Sequence, residues 1–112
     1  MTLNSVLCCL PLLEKLAKSK SSKERKLLLR KAKSCVFYAI SEIARNIIRG
    51  NITLTKLRKK KLYPYKNNIR ELAKKSITLK RRKQIINQRG GFIPGLLIPA
   101  ITVLAEIVAR KL

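Results

Sequence analysis

The chain is predicted to be all-α, a small bundle of short helices with a cationic middle and an apolar C-terminal helix that follows a Gly-Gly hinge. Three observations predict this class. Apolar residues recur at helical spacing, most clearly at Val36, Ile40, Ile43 and Ile47. Ser or Thr stands in N-cap position ahead of several such stretches. Period-two alternation is confined to three-residue pegs such as Ile52-Thr53-Leu54. At 112 residues the core is modest. The organisation expected is a basic helical domain over 1–89 and the hinge with its apolar segment over 90–112.

The elements follow in order. Pro11 suits the first position of a helix, where its missing N–H is not needed, so helix one is expected from Pro11 to Lys18 with Leu12, Leu13 and Leu16 inward. Ser21 and Glu24 have capping-box spacing and open a second helix over Lys23 to Lys33, with Leu27, Leu28 and Ala32 on its apolar side. The third helix carries the stripe at 36, 40, 43 and 47 with Phe37, Ala44 and Ile48 beside it. Ser41, Glu42, Arg45 and Arg49 take its other face, and Gly50 ends it. Thr55 caps a short helix to Lys61 that Pro64 stops. Tyr65 to Lys75 resumes with Ile69, Leu72 and Ala73 inward, and Thr78 caps a helix to Gln88 that rests on Leu79, Ile85 and Ile86. Ile52-Thr53-Leu54 and Ile77-Thr78-Leu79 echo each other ahead of basic clusters, too briefly to be a repeat.

Charge decides the class of partner. Lys and Arg number 27 against five Glu, with no Asp and no His, for a net charge of +22. Residues 1–14 sum to −1, 15–49 to +9, 50–89 to +13 and 90–112 to +1. Such a chain repels itself and is stabilised by a bound polyanion. Nucleic acid is the first partner expected and an anionic membrane face the second.

Within the middle, Arg58-Lys59-Lys60-Lys61 and Lys80-Arg81-Arg82-Lys83, with Arg89, are the expected phosphate contacts; the bland readings are a solvated helix face or a nuclear-import signal. Tyr63 and Tyr65 are the only aromatics there, so Tyr63-Pro64-Tyr65 reads as a packed turn rather than a base-stacking platform, and duplex backbone binding is favoured over base reading.

The segment 92–109 nearly reaches the ~20 residues of a spanning helix, and Pro94, Pro99 and Glu106 weaken that reading. Its residues Phe92, Ile93, Leu96, Leu97, Ile98, Ile101, Leu104 and Ile107 are the expected contacts with a membrane, a partner such as a capsid protein, or a second copy of the chain. Burial in an intramolecular core is the third reading.

Catalysis is not expected. There is no His, no paired carboxylate and no phosphate-binding loop, and Glu14, Glu24, Glu42, Glu71 and Glu106 are scattered. Cys8, Cys9 and Cys35 form no C-x-x-C and, without His, no zinc set, so neither a metal nor a cofactor is expected. Adjacent Cys8 and Cys9 would give only a strained disulfide. Small apolar packing residues in a reducing compartment fit the three best, with acylation of Cys8 or Cys9 as the sharper alternative. The run Val6–Leu13 lacks a basic flank and contains Pro11, so no secretory signal is expected.

The stretch from Leu79 to Leu97, with its basic run, the junction Gln88-Arg89-Gly90-Gly91-Phe92-Ile93-Pro94 and the apolar tail, resembles the small basic proteins of adintoviruses and polinton-type elements, which look like the adenovirus core protein X (mu) precursor. Gly50-Asn51-Ile52-Thr53-Leu54-Thr55 and Ile69-Arg70-Glu71-Leu72-Ala73-Lys74-Lys75 are similar to the same group. The likeness covers the C-terminal two thirds. It implies a DNA-condensing packaging role in a virion core, and with it a place in the virion and the host nucleus. The chain departs from the adenovirus core peptides, which are shorter and richer in Arg, in its amphipathic helix at 36–48.

Overall fold

Three helix starts in this protein are fixed by a side-chain hydrogen bond that the sequence supplies locally. A computed structural model describes residues 9–88 and 90–111, with side chains described over 9–88 and 91–102. Among the described residues there are seven α-helices, two 3-10 turns and no strand. Helix α1 (Leu10–Ala17) has Pro11 in its first turn. Helix α2 (Ser22–Arg30) starts where the Ser21 hydroxyl accepts the Glu24 amide at 3.1 Å and the Glu24 carboxylate accepts the Lys20 amide at 3.2 Å. Thr55 and Thr78 accept the amides of Arg58 and Arg81 at 3.3 and 3.1 Å, opening α4 (Lys56–Leu62) and α6 (Leu79–Gln88).

Helix α3 (Ser34–Ile48) closes on Gly50 at φ +79°, where the Gly50 amide donates to Ile47 and the Asn51 amide to Asn46. That pair of bonds is a Schellman motif, and only the left-handed glycine allows it without strain. Pro64 ends α4 at Leu62 as expected, without interrupting the succession of helical turns. It sits in the 3-10 turn Tyr63–Tyr65, which leads from α4 directly into α5 (Lys66–Ala73). Pro fits there because its fixed φ suits the opening of a helical turn. A second 3-10 turn, Gly90–Phe92, leads into α7 (Ile93–Lys111), which continues through Pro99.

Helix α3 is the centre of the bundle, with α5, α6 and α7 packed on it, while α1 lies along α7 and α4 leans on α7. On the apolar stripe of α3, Val36, Ile40 and Ile43 are buried as their spacing requires, Ile47 is half-buried against them, and Ile48, expected beside the stripe, is 51% exposed. The radius of gyration is 13.0 Å, close to the ~13 Å of a folded 100-residue chain. A chain of this charge therefore closes around an apolar core rather than staying extended.

Three expectations are corrected. On α2 the buried residue is Leu29, whereas Leu27 is 53% exposed, because the helix turns the 29 position toward the core. On α3, Ser41 and Arg45 are buried rather than outward, since α5, α6 and the loop between them cover that face. The third correction is the largest. Phe92, Ile93, Leu96, Leu97 and Ala100 are buried in the same apolar cluster as Leu13, Leu16 and Ile40. These five residues of the tail are part of the bundle's core.

Two glycines at the start of the tail sit where the backbone is closely approached. A Cβ on Gly91 would stand 3.0 Å from the Tyr65 hydroxyl, and one on Gly95 3.3 Å from Leu62. Tyr65 packs its ring on Phe92 at 5.6 Å between centroids. Of the other expected tail contacts, Ile101 is half-buried against the core and Ile98 is 37% exposed. The side chains of Leu104 and Ile107 lie outside the described residues. No helix among the described residues is long and apolar enough to cross a membrane.

Candidate nucleic-acid interface

Five of the seven residues of α4 are cationic: Lys56, Arg58, Lys59, Lys60 and Lys61. Like charges at i,i+3 and i,i+4 each oppose a helix by a few tenths of a kcal/mol, roughly 0.2–0.5. The helix holds because Thr55 caps it, the cations of its last turn complement the dipole, and Leu62 is buried against α7. Lys59, Lys60 and Lys61 are exposed, and Arg58 is half-buried. Beside them Tyr63 is 65% exposed with the Lys66 ammonium 4.4 Å from its ring centre, so only Tyr65 is the packed residue expected of that turn.

On α6, Lys80, Arg81 and Lys83 are exposed. The Lys83 ammonium lies 5.5 Å from the centre of the buried Phe37 ring, which orients it along the surface of α3. Arg81 grips Glu71 with two bonds of 2.5 and 2.9 Å. That hydrogen bond, helped by the positive charges of Arg81 and Lys74, holds the Glu71 carboxyl below its ordinary range even though partial desolvation opposes the shift. The pair is exposed, and a phosphate can take the place of its carboxylate. Glu71→Gln should therefore release Arg81. Duplex affinity should rise and the log-log salt slope should steepen by up to about 0.9, one phosphate contact; unchanged affinity and slope would show that Arg81 never reaches phosphate.

Arg82, expected on the cationic surface, is instead buried on the core side of α6. It is 5% exposed. Its guanidinium donates to the Ser41 hydroxyl at 3.0 Å, the Ile77 carbonyl at 2.6 Å and the Lys74 and Lys75 carbonyls at 3.4 Å, and it lies 4.7 Å from the Tyr38 ring centre. Arg45 does a similar job nearby, donating to the Ala73 carbonyl at 2.9 Å and pairing with Glu42. Together the two guanidiniums tie the end of α5 and the loop that follows it to α3. The spacing carried this signal: positions 79, 82 and 86 share one helix face, and Leu79 and Ile86 were already assigned to the core side. Arg89 lies outside the described residues.

Two further cationic regions were not expected to meet phosphate, because neither contains a run of four cations. Arg25, Lys26 and Arg30 of α2 face Asn87 and Gln88 of α6 across adjoining clefts of about 420 and 230 Å³. At the far ends of α3 and α5, Arg49, Arg70, Lys74 and Lys75 surround a cleft of about 480 Å³ with the exposed Ile48. Helical period brings each set together. Of all the described Lys and Arg, only Arg45 and Arg82 are buried, and among the described residues only Arg81 of the exposed cations is in an ion pair. Among them, too, no three Cys or Glu side chains converge as a metal site would need. Comparisons of the chain with protein families, with curated proteins and with solved structures find no match.

Proposed function

We propose that the protein is a non-enzymatic DNA-binding protein that engages the phosphates of duplex DNA without reading its sequence, and that it condenses DNA for packaging. The observation that carries the reading is a solvent-facing cation excess that almost no carboxylate neutralises. Lys and Arg that meet phosphates release condensed counterions, and that entropy drives binding whatever the base sequence. The cations lie on α2, α4, α6 and the paired ends of α3 and α5, so contact is not restricted to one strip of surface. A protein that presents phosphate-binding groups in several directions draws duplex segments together. The resemblance of the Leu79–Leu97 stretch to small basic proteins of adintoviruses and polinton-type elements supplies the setting, a virion core loaded in the host nucleus.

Phosphate contact on α4 and α6 is tested by Lys59, Lys60, Lys61, Lys80 and Lys83 changed together to Gln. All five are exposed and none holds the core, so the melting midpoint should stay or rise as self-repulsion falls. Duplex affinity should drop equally for unrelated sequences, and the salt slope should flatten by up to about 4.5, at ~0.9 for each lost contact. If the variant keeps its affinity for duplex but loses binding to vesicles of acidic phospholipid, the cationic surface serves a membrane and the DNA reading fails.

A further inference from the structure

The sequence gives no reason to join Cys9 to Cys35, yet the fold brings them together. Cys9 stands at the start of α1 and is buried; Cys35 is the second residue of α3 and is half-buried. The Cys9 thiol donates to the Cys35 sulfur across 2.6 Å. That separation is well inside ordinary non-bonded distance for two sulfurs, and the S–S bond is about 2.05 Å. The contact spans 26 positions of sequence. It also joins two elements that meet nowhere else by covalent or ionic means among the described residues.

We propose that Cys9 and Cys35 are a disulfide pair that locks α1 to α3 when the protein meets a small-molecule disulfide such as oxidised glutathione. Access sets the order of events. Cys35 lines an open cleft of about 510 Å³ with Ser34, Tyr38 and Ser41, whereas Cys9 is 4% exposed. The Cys35 thiolate therefore attacks the oxidant first. Its sulfur bonds to one glutathione sulfur, the oxidant's S–S bond breaks, and the other glutathione leaves as a thiolate. The Cys9 thiolate then attacks the Cys35 sulfur and displaces the second glutathione. Two protein thiols have lost two protons and two electrons, and one oxidised glutathione has become two reduced ones.

The bond closes a loop that contains all of α2. Because α7 packs along α1, the lock also holds the C-terminal helix against the rest of the bundle. A cross-link of this span restricts mainly the unfolded chain, so the oxidised protein should melt on the order of 10 °C higher than the reduced one. The inference is independent of what the cations bind.

Peptide mapping tests it. Trypsin cuts after Lys15, Lys33 and Arg45, placing Cys8 and Cys9 on the peptide 1–15 and Cys35 on the peptide 34–45. Full-length protein carrying Cys8→Ser is equilibrated with oxidised glutathione, digested without reductant and weighed. The expected result is the 1–15 and 34–45 peptides joined and lighter by two hydrogens, with a raised melting midpoint that dithiothreitol returns to its starting value. In the wild-type chain, fragmentation between Cys8 and Cys9 of the same joined pair assigns the bond to Cys9 independently of any substitution. The proposal is overturned if both thiols remain alkylatable, if the reaction stops with glutathione on Cys35, or if cross-links form only between copies of the chain.

Discussion

Deletion of residues 92–112 is expected to unfold the protein rather than trim it. The deletion removes only +1 of net charge, so electrostatics does not forecast the effect. Packing does. Phe92, Ile93, Leu96 and Leu97 are each no more than 1% exposed, and a large apolar side chain contributes about 1.5–3 kcal/mol on full burial. Four of them amount to roughly 6–12 kcal/mol, against a total stability of about 5–15 kcal/mol for a domain of this kind. Helix α1 also loses the helix along which it packs, leaving Leu13 and Leu16 without cover. Circular dichroism of the truncated chain should show most of the helix gone and no cooperative melt. A truncated chain with the helicity and midpoint of the full one would show that the tail is a separate device after all.

The second large effect is expected at Arg82. Substitution to Ala strips the partners from the Ser41 hydroxyl and the Ile77, Lys74 and Lys75 carbonyls. Groups buried without partners are expensive, and the loss should be about 3 kcal/mol or more. The melting midpoint should fall steeply, while any protein still folded should bind duplex DNA with an unchanged salt slope. Lys83→Gln, one residue along on the exposed side of α6, should show the opposite pattern of intact stability and a flatter slope. If Arg82→Ala instead flattens the slope and leaves the midpoint alone, its guanidinium reaches phosphate and the buried geometry is wrong.

These two predictions mark where the sequence was legible and where it was not. Local chemistry was readable. Ser21, Thr55 and Thr78 cap the helices they were expected to cap, Gly50 takes the left-handed turn, and Val36, Ile40 and Ile43 of the stripe are buried with Ile47 half-buried beside them. These signals are complete within a few residues, so no tertiary knowledge is needed to read them. The all-α class follows from their sum. What failed depended on which surface meets which. The tail at 92–101 looks the same in sequence whether it faces lipid, a partner or α1, because apolar spacing states that a face is covered and not by what. Arg82 was grouped with Lys80, Arg81 and Lys83 because a run of charge hides the helical period that separates them. The cationic clefts on α2 and between the ends of α3 and α5 went unassigned for the converse reason, since their members form no unbroken run of charge. The contact of Cys9 with Cys35 is a purely tertiary fact.

The central claim is that this folded, cation-coated bundle binds duplex DNA through phosphates alone. The most direct measurement is the dissociation constant of the intact protein for two duplexes of unrelated sequence, taken across a series of salt concentrations. The account predicts that the two duplexes agree within a few-fold at every concentration, and that both lose affinity along one steep straight line in log-log form, each phosphate contact adding about 0.9 to the slope. A preference above roughly a hundredfold for one sequence, or about 2.7 kcal/mol, would contradict it, as would a shallow slope or no duplex binding at physiological salt.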